Sequence, residues 1–151
     1  MSMASLIKKL KALDGMSCEA GFFETSRYED GEQVASVAYD NEMGVKANKK
    51  TNEKGQPPRP FFRYGIRLAQ KEVQTVAQRA MIMMFQNSLS PEQVVGRIGL
   101  HFEACIVDSI RNGNWIRNSQ ETIDRKGFDK PLIDSGLMWQ SVASRVTNRG
   151  E

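Results

Sequence analysis

Two long amphipathic helices separated by only three residues constrain the fold of this chain more than any other feature of its sequence. Apolar positions from Phe62 to Met83 recur in steps of four and three, which is the spacing of helices that pack along a seam. A second helix is predicted to begin at Ser90-Pro91-Glu92-Gln93, a capping box with proline at the first helical position. Because only Asn87, Ser88 and Leu89 lie between them, the two helices are predicted to form an antiparallel αα-hairpin.

Shorter elements flank this hairpin. The spacing of apolar residues predicts an N-terminal helix that Asp14-Gly15 ends, a strand over 17–24, and a helix that starts near Val34 and stops at Gly44. A capping box at Asp30 and Gln33 is expected to open that helix. A short helical stretch near Ser119–Arg125 and a final strand after 140 complete the chain. The fold class is therefore predicted to be α+β, with a long antiparallel helical hairpin packed with a small antiparallel β-sheet and a short N-terminal helix.

Length and composition favour one domain over residues 1–151. The 21 basic and 18 acidic residues are intermixed, and the net charge of +3 does not by itself predict nucleic-acid binding. Cys18 and Cys105 lie in apolar patterns and are expected to be buried free thiols, which fits a reducing compartment. Neither a secretory signal nor a membrane span is recognisable, so no membrane partner is expected.

Residues 45–58 form a lysine-rich loop with almost no apolar side chains, closed by Pro57-Pro58. The loop has three interpretations: a flexible solvated segment, a segment that orders against a protein neighbour, or a contact to DNA phosphates. It lacks aromatic residues that would stack on bases. A role in DNA contact would therefore be non-specific and sensitive to salt.

Two patterns suggest catalysis, and neither is sufficient. Asp134-Ser135-Gly136 matches the triplet of aspartic proteases, but that chemistry needs two such carboxylates, and the fold of those proteases is almost all β. The preferred interpretation is a turn in which Asp134 accepts backbone N–H bonds and Gly136 supplies a positive φ. His101 and Cys105 stand four residues apart on a helix, without a second histidine in the chain. We therefore expect no enzymatic activity, no cofactor and no metal site.

The order of several segments carries a family resemblance. These segments are Glu19-Ala20-Gly21-Phe22-Phe23, Tyr28-Glu29-Asp30-Gly31, the stretch from Val34 to Gly44, Pro57-Pro58-Arg59-Pro60-Phe61-Phe62-Arg63, and Lys130-Pro131-Leu132-Ile133-Asp134-Ser135-Gly136. Over nearly its whole length the chain resembles the tail-completion or virion-morphogenesis proteins of tailed bacteriophages. It departs from that family at Ser135, where threonine is more frequent, and in its lysine-rich loop.

The resemblance implies a structural virion protein of the phage neck or tail, made in the host bacterial cytoplasm. Such a protein would complete the tail or join head to tail. It would form a homo-oligomeric ring and contact an adaptor, stopper, terminator or tail-tube protein. A tail terminator, a head–tail connector and a minor capsid protein of the same machine are alternatives. An alternative from another class is a non-specific DNA-contacting assembly protein that uses the lysine-rich loop.

Two sets of residues follow from this interpretation. Those predicted to form protein interfaces are Lys46, Lys49, Lys50, Lys54, Arg59, Phe61, Phe62, Met83, Met84, Trp115 and Trp139. Those predicted to shape structural turns are Pro57, Pro58, Pro60, Pro131, Asp134 and Gly136.

Overall fold

The computed structural model describes residues 2–50 and 54–148. Within these ranges lie six helices and two strands: α1 (Met3–Asp14), β1 (Met16–Phe22), α2 (Val34–Met43), α3 (Phe61–Phe85), α4 (Pro91–Asn112), α5 (Gln120–Lys126), α6 (Leu137–Gln140) and β2 (Val142–Asn148). Strands β1 and β2 pair in an antiparallel sheet. The predicted α+β class is confirmed, with its long helical pair, small sheet and short N-terminal helix.

The chain divides into two compact units. The first unit comprises the described residues of Met1–Gly21, Ile66–Cys105 and Ala143–Glu151, and the second comprises Phe22–Gly65 and Ile106–Val142. The prediction of a single domain over 1–151 concerns independent folding, which a division by contacts does not address, so it stays a prediction.

In the first unit, the turn of the hairpin is closed by backbone hydrogen bonds. Asn87 takes a left-handed conformation with φ of 60°. The Ser88 N–H donates to the Met83 carbonyl at 2.8 Å, and the Asn87 N–H donates to the Met84 carbonyl at 3.1 Å. This is the Schellman arrangement that satisfies the last carbonyls of a helix. The end of α3 is therefore determined by local hydrogen bonding.

The predicted capping box at the start of α4 is confirmed. The Gln93 N–H donates to Ser90 Oγ at 3.1 Å, and the Ser90 N–H donates to Gln93 Oε1 at 2.8 Å. Helix α1 is capped in a related way, since Ser2 Oγ accepts from the Ser5 N–H at 3.2 Å. These side-chain oxygens accept hydrogen bonds from backbone N–H groups at the start of the helix, which have no acceptor within the helix.

Helix α1 is attached to the hairpin turn through one apolar side chain, Leu13, and one polar side chain, Lys9. Leu13 packs on a core cluster formed by Ala80, Met84 and Val94. The Lys9 ammonium donates to the Met84 carbonyl at 2.9 Å and to Asn87 Oδ1 at 2.8 Å. These contacts fix the position of α1 in the first unit.

The sheet lies directly on α4 because two glycines leave room for it. A Cβ atom at Gly99 would lie 3.2 Å from the Cβ of Ser144 and 3.4 Å from the Cβ of Cys18. At Gly96 the nearest atom, Val146 Cγ2, would be 3.6 Å away. Glycine within α4 is thus explained by close packing, as expected for glycine in a helix interior.

In the second unit, a carboxylate on α2 caps the start of α3. Glu42 is 8% exposed. Its carboxylate accepts from the Phe62 N–H at 2.8 Å, the Arg63 N–H at 3.3 Å and Arg63 Nε at 2.7 Å. The Phe61 ring is fully buried and meets the Phe22 ring edge-on, with centroids 6.2 Å apart. The first turn of α3 is therefore held by an anion at its positive end and by an aromatic contact.

The cap expected at the start of α2 is wrong. Asp30 Oδ1 accepts from the Glu32 N–H at 3.0 Å, and Gln33 makes no capping side-chain bond. A local turn therefore competes successfully with the capping box.

Of the predicted seam residues of α3, Ala69 and Ala80 are buried, whereas Phe62, Ile66, Val73, Val76 and Met83 are half-buried. The fully buried side chains Phe61 and Met84 lie one position away from predicted seam residues.

Replacing Glu42 by glutamine is expected to destabilise the protein. The Glu42→Gln change removes the charge and puts an amide donor near backbone N–H groups, at a cost of about 1–3 kcal/mol in the free energy of unfolding. Urea denaturation measures this loss. Asp40→Asn, on the exposed side of the same helix, is the matched control and should change little. Equal stability of the two variants would contradict the proposed cap.

The two α4 glycines are expected to respond differently to alanine. Both substitutions gain helix propensity, about 1 kcal/mol for an open site. Gly99→Ala must also displace the sheet, since its new Cβ would meet Ser144 at 3.2 Å, whereas Gly96→Ala makes an ordinary contact. Thermal denaturation should therefore show Gly96→Ala to be the more stable variant. A Gly99→Ala protein that is at least as stable would show that the sheet does not need this close approach.

Candidate functional site

The second unit contains a polar cleft of about 770 Å³, within the size range of ligand-binding pockets. One wall is formed by the proline segment with Pro57 and Arg59, and another by residues 132–138. The remaining walls come from the start of α5 and from the turn near Asp30. The cleft thus brings together the two segments that are most specific in the family resemblance.

Arg59 is the most enclosed cation of the cleft, with 5% of its surface exposed. Its Nε–H donates to the Ile116 carbonyl at 2.9 Å. Its terminal nitrogens reach Asn41 Oδ1 at 3.4 Å, the Arg117 carbonyl at 3.4 Å and Asn118 Oδ1 at 3.3 Å. These three contacts are longer than most N–H···O bonds. All four acceptors are neutral, and no described residue places an anionic group in direct contact with the guanidinium.

Lys126 is a second cation held by neutral acceptors. Its ammonium donates to the Lys130 carbonyl at 3.0 Å and also to the Ile133 carbonyl. Burial lowers the pKa of Lys126, an effect that the charge of Asp134 partly offsets. Burial likewise lowers the pKa of Arg59, with a smaller opposing effect from Asp129. Within residues 2–50 and 54–148, neither cation forms an ion pair.

The nearby carboxylate of Asp129 is already engaged. Asp129 Oδ2 accepts from Arg117 Nε at 2.5 Å, and Asp129 Oδ1 accepts from the Asn118 N–H at 3.2 Å. The hydrogen bond from Arg117 is the largest of the effects that lower the pKa of Asp129. Asp129 is therefore ionised and committed to Arg117, and it acts on Arg59 only from a distance.

Asn118 has an amide donor without a partner. Its Oδ1 accepts from Arg59, and because a guanidinium cannot accept, this contact determines which way the amide points. Its Nδ2 is shielded from solvent and has no hydrogen-bond partner in the described part of the chain. Sequence reasoning missed both Asn118 and Lys126, since no motif or periodicity marks them.

The predicted interface residues are not all at the surface. Lys46, Lys49, Lys50 and Lys54 are exposed; Phe62, Met83, Trp115 and Trp139 are half-buried; Arg59, Phe61 and Met84 are buried. The two tryptophans have partners in the second unit: Trp115 Nε1 donates to the Ser109 carbonyl at 2.9 Å, and the Arg111 guanidinium lies 4.8 Å from the Trp139 ring centre. The interface role of the set stays a prediction, although its three buried members present little surface to a partner.

Three of the predicted turn residues, Pro57, Asp134 and Gly136, line the cleft, and one detail of the turn differs from the prediction. Pro57, Pro58, Pro60 and Asp134 are exposed, Pro131 is half-buried, and Gly136 is buried with φ of 84°. The turn was expected to use Asp134 as the acceptor of backbone N–H groups. Instead Ser135 Oγ accepts from the Leu137 N–H at 3.3 Å, and Asp134 lies 3.5 Å from Arg125.

The lysine-rich loop is closed at its base. Val45 and Gln56 exchange backbone hydrogen bonds of 3.0 and 2.9 Å. Gly44 precedes this bridge with φ of 74°, and a Cβ there would lie 2.7 Å from the nitrogen of Pro58. Lys54 pairs with Glu121. Residues 51–53, which belong to the predicted flexible loop, lie outside the described residues.

The residues considered for catalysis are engaged in packing. His101 Nε2 lies 3.0 Å from the Ala69 carbonyl. Neither Cys18 nor Cys105 forms a disulfide in the part of the chain that the structure describes, and both are half-buried, whereas buried thiols were predicted. Burial raises the pKa of the Cys18 thiol. Among the residues that the structure describes, no group of three or more His, Cys, Asp or Glu could hold a metal ion. In the same ranges, no helix has the length and apolar character of a membrane span.

Each unit also presents an apolar stripe on one helix. Helix α1 has no buried residue, and Met3, Ile7 and Leu10 are 71%, 46% and 41% exposed. In α2, Tyr39 and Met43 are 64% and 51% exposed. These residues recur at helical spacing, so each set lies on one face of its helix. Exposed apolar residues on one helix face are candidates for protein contacts, since large contiguous apolar patches mark interaction surfaces.

Comparisons of the chain with models of protein families, with curated proteins and with solved structures give no match.

Proposed function

We propose that this chain is a non-enzymatic structural protein of a bacteriophage neck or tail, which completes the tail or joins head to tail through protein–protein contacts. The placement in the phage neck rests on the sequence resemblance. The observation that carries an assembly role is the apolar stripe of α1, formed by Met3, Ile7 and Leu10, on a helix that is attached by other residues.

The stripe of α1 is displayed in a fixed position. Leu13 and Lys9 attach the helix to the hairpin turn, while Ile7 and Leu10 keep 46% and 41% of their surface exposed. Burying the exposed surface of these residues in an interface would contribute about 25 cal/mol per Å² of apolar area. This arrangement suits a surface that a neighbouring subunit covers.

The second stripe, Tyr39 and Met43, belongs to the other unit. A ring component has to contact copies of itself and also the proteins above and below the ring, and it therefore needs more than one surface. The proposal assigns the stripes to ring contacts and to contacts with an adaptor, stopper, terminator or tail-tube protein. In this role the protein is a component of the assembled virion.

Electron microscopy of lysates tests the proposed step of assembly at which the protein acts. A phage that lacks this gene is expected to accumulate DNA-filled heads and finished tails that remain separate. Infectious particles of normal form would contradict the proposal. Empty heads or tails of abnormal length would instead favour the alternatives in the same machine, namely terminator, connector or minor capsid protein.

Complementation with matched variants tests the stripe itself. Ile7→Gln combined with Leu10→Gln should fail to restore joined particles, because two apolar contacts are replaced by polar groups. Lys8→Gln combined with Lys11→Gln changes exposed residues of the same helix and should restore them. Circular dichroism checks that both proteins fold. Restored infectivity with the first pair would contradict a role of the stripe.

Contact with DNA is a second candidate function, favoured by one observation. Lys46, Lys49 and Lys50 are exposed, and none of them forms an ion pair within the described ranges. Affinity for random duplex DNA that falls steeply with salt, and that is lost on changing these lysines to alanine, would support this function. Binding that is absent at low salt would exclude it.

A further inference from the structure

The polar cleft has the character of a site for an anion. Arg59 is a buried cation and Lys126 a half-buried one, and every described group that accepts a hydrogen bond from either of them is neutral. A buried charge without a counter-charge is unfavourable, and proteins usually pair it. Asn118 Nδ2 adds a donor without a partner. Arg59, Lys126 and Asn118 all line the same cleft, and the two cations are close enough to affect each other electrostatically. An anionic oxygen ligand in this cleft would therefore be attracted by both cations.

We propose that this cleft binds a carboxylate carried by a peptide segment of a partner protein, with Arg59 and Lys126 supplying positive charge and Asn118 Nδ2 donating a hydrogen bond. The inference goes beyond the proposed function and rests on the cleft alone. A carboxylate at the end of a peptide chain and one on an aspartate or glutamate side chain share this chemistry.

The other charges of the cleft favour a single carboxylate over a polyanion. Asp30, Glu32, Glu121 and Asp134 also line it, as do Lys54, Arg117 and Arg125. Lys54 pairs with Glu121 and Arg125 with Asp134. Because these further charges largely balance, the cleft lacks the row of unpaired cations that successive phosphates of a nucleic acid would need. A peptide carries its negative charge at one point on a largely neutral chain. The cleft volume of about 770 Å³ also suits a short segment better than a duplex.

Titration of the isotope-labelled full chain, followed by NMR, tests the proposal. The probes are N-acetyl-trialanine with a free carboxylate, N-acetyl-Ala-Glu-Ala-amide, and N-acetyl-trialanine amide as the uncharged control. The side-chain amide of Asn118 and the Nε–H of Arg59 are expected to shift saturably with at least one carboxylate peptide and not with the control. Whichever carboxylate peptide binds more tightly identifies the source of the group.

Three results would overturn the proposal. One is that neither carboxylate peptide gives a saturable shift. Another is that the uncharged control shifts the same resonances equally. The third is that inorganic phosphate or a short duplex DNA binds the cleft more tightly than both carboxylate peptides, which would assign the cleft to phosphate.

A variant that supplies the carboxylate internally provides the sharpest test. In Asn118→Asp the new oxygen replaces the unpartnered donor and gives Arg59 an anionic neighbour. The midpoint of thermal unfolding should rise, and affinity for the carboxylate peptide should fall by at least about tenfold, since a like charge now occupies the site. Asn114→Asp, an exposed position in the same segment, adds the same charge and should alter neither quantity.

A second variant covers the case in which Asn118→Asp fails to fold. Lys126→Gln keeps amide donors for the Lys130 and Ile133 carbonyls and removes the charge. It should weaken peptide binding several-fold while the chain stays folded. Unchanged affinity in this variant, or in a folded Asn118→Asp protein, would show that the cleft groups do not bind the carboxylate.

Discussion

In the second unit, one carboxylate, that of Glu42, holds the start of helix α3. Glu42 comes from α2, yet its oxygens accept from the backbone N–H groups of Phe62 and Arg63 in the first turn of α3. Those N–H groups have no intrahelical partner, and the positive end of the helix dipole favours an anion there. The proline segment leads directly into this helix start. The same contact therefore also fixes the backbone position from which the Arg59 side chain reaches the cleft.

Arg59 links that helix start to the cleft. Its guanidinium reaches Asn41 on α2 and the segment from Ile116 to Asn118 that follows α4, so it joins parts of the chain that are distant in sequence. The neutral carbonyl and amide groups satisfy its hydrogen bonds but not its charge. An enclosed cation in this state has two roles: it orders the walls of the cleft, and it leaves the cleft attractive to an anion.

The proposed function has two independent sources, a resemblance in the sequence and exposed apolar residues in the structure. The phage neck assignment comes from the resemblance, whose two most specific segments both line the cleft. The assembly role comes from apolar stripes that helical attachment elsewhere leaves exposed. Each can fail without the other: exposed apolar surfaces would suit an assembly component of any machine, whereas the resemblance points to one particular machine.

Sequence alone determined the features that depend on neighbouring residues. The capping box of Ser90 and Gln93, the short hairpin connection and the helical periods are local, so the elements and the α+β class were predictable. Tertiary structure decided the rest. The Glu42 cap, the approach of Ser144 to Gly99 and the meeting of Arg59 with Asn118 join residues far apart in the chain. No local pattern encodes such contacts, because they arise only when several elements pack together.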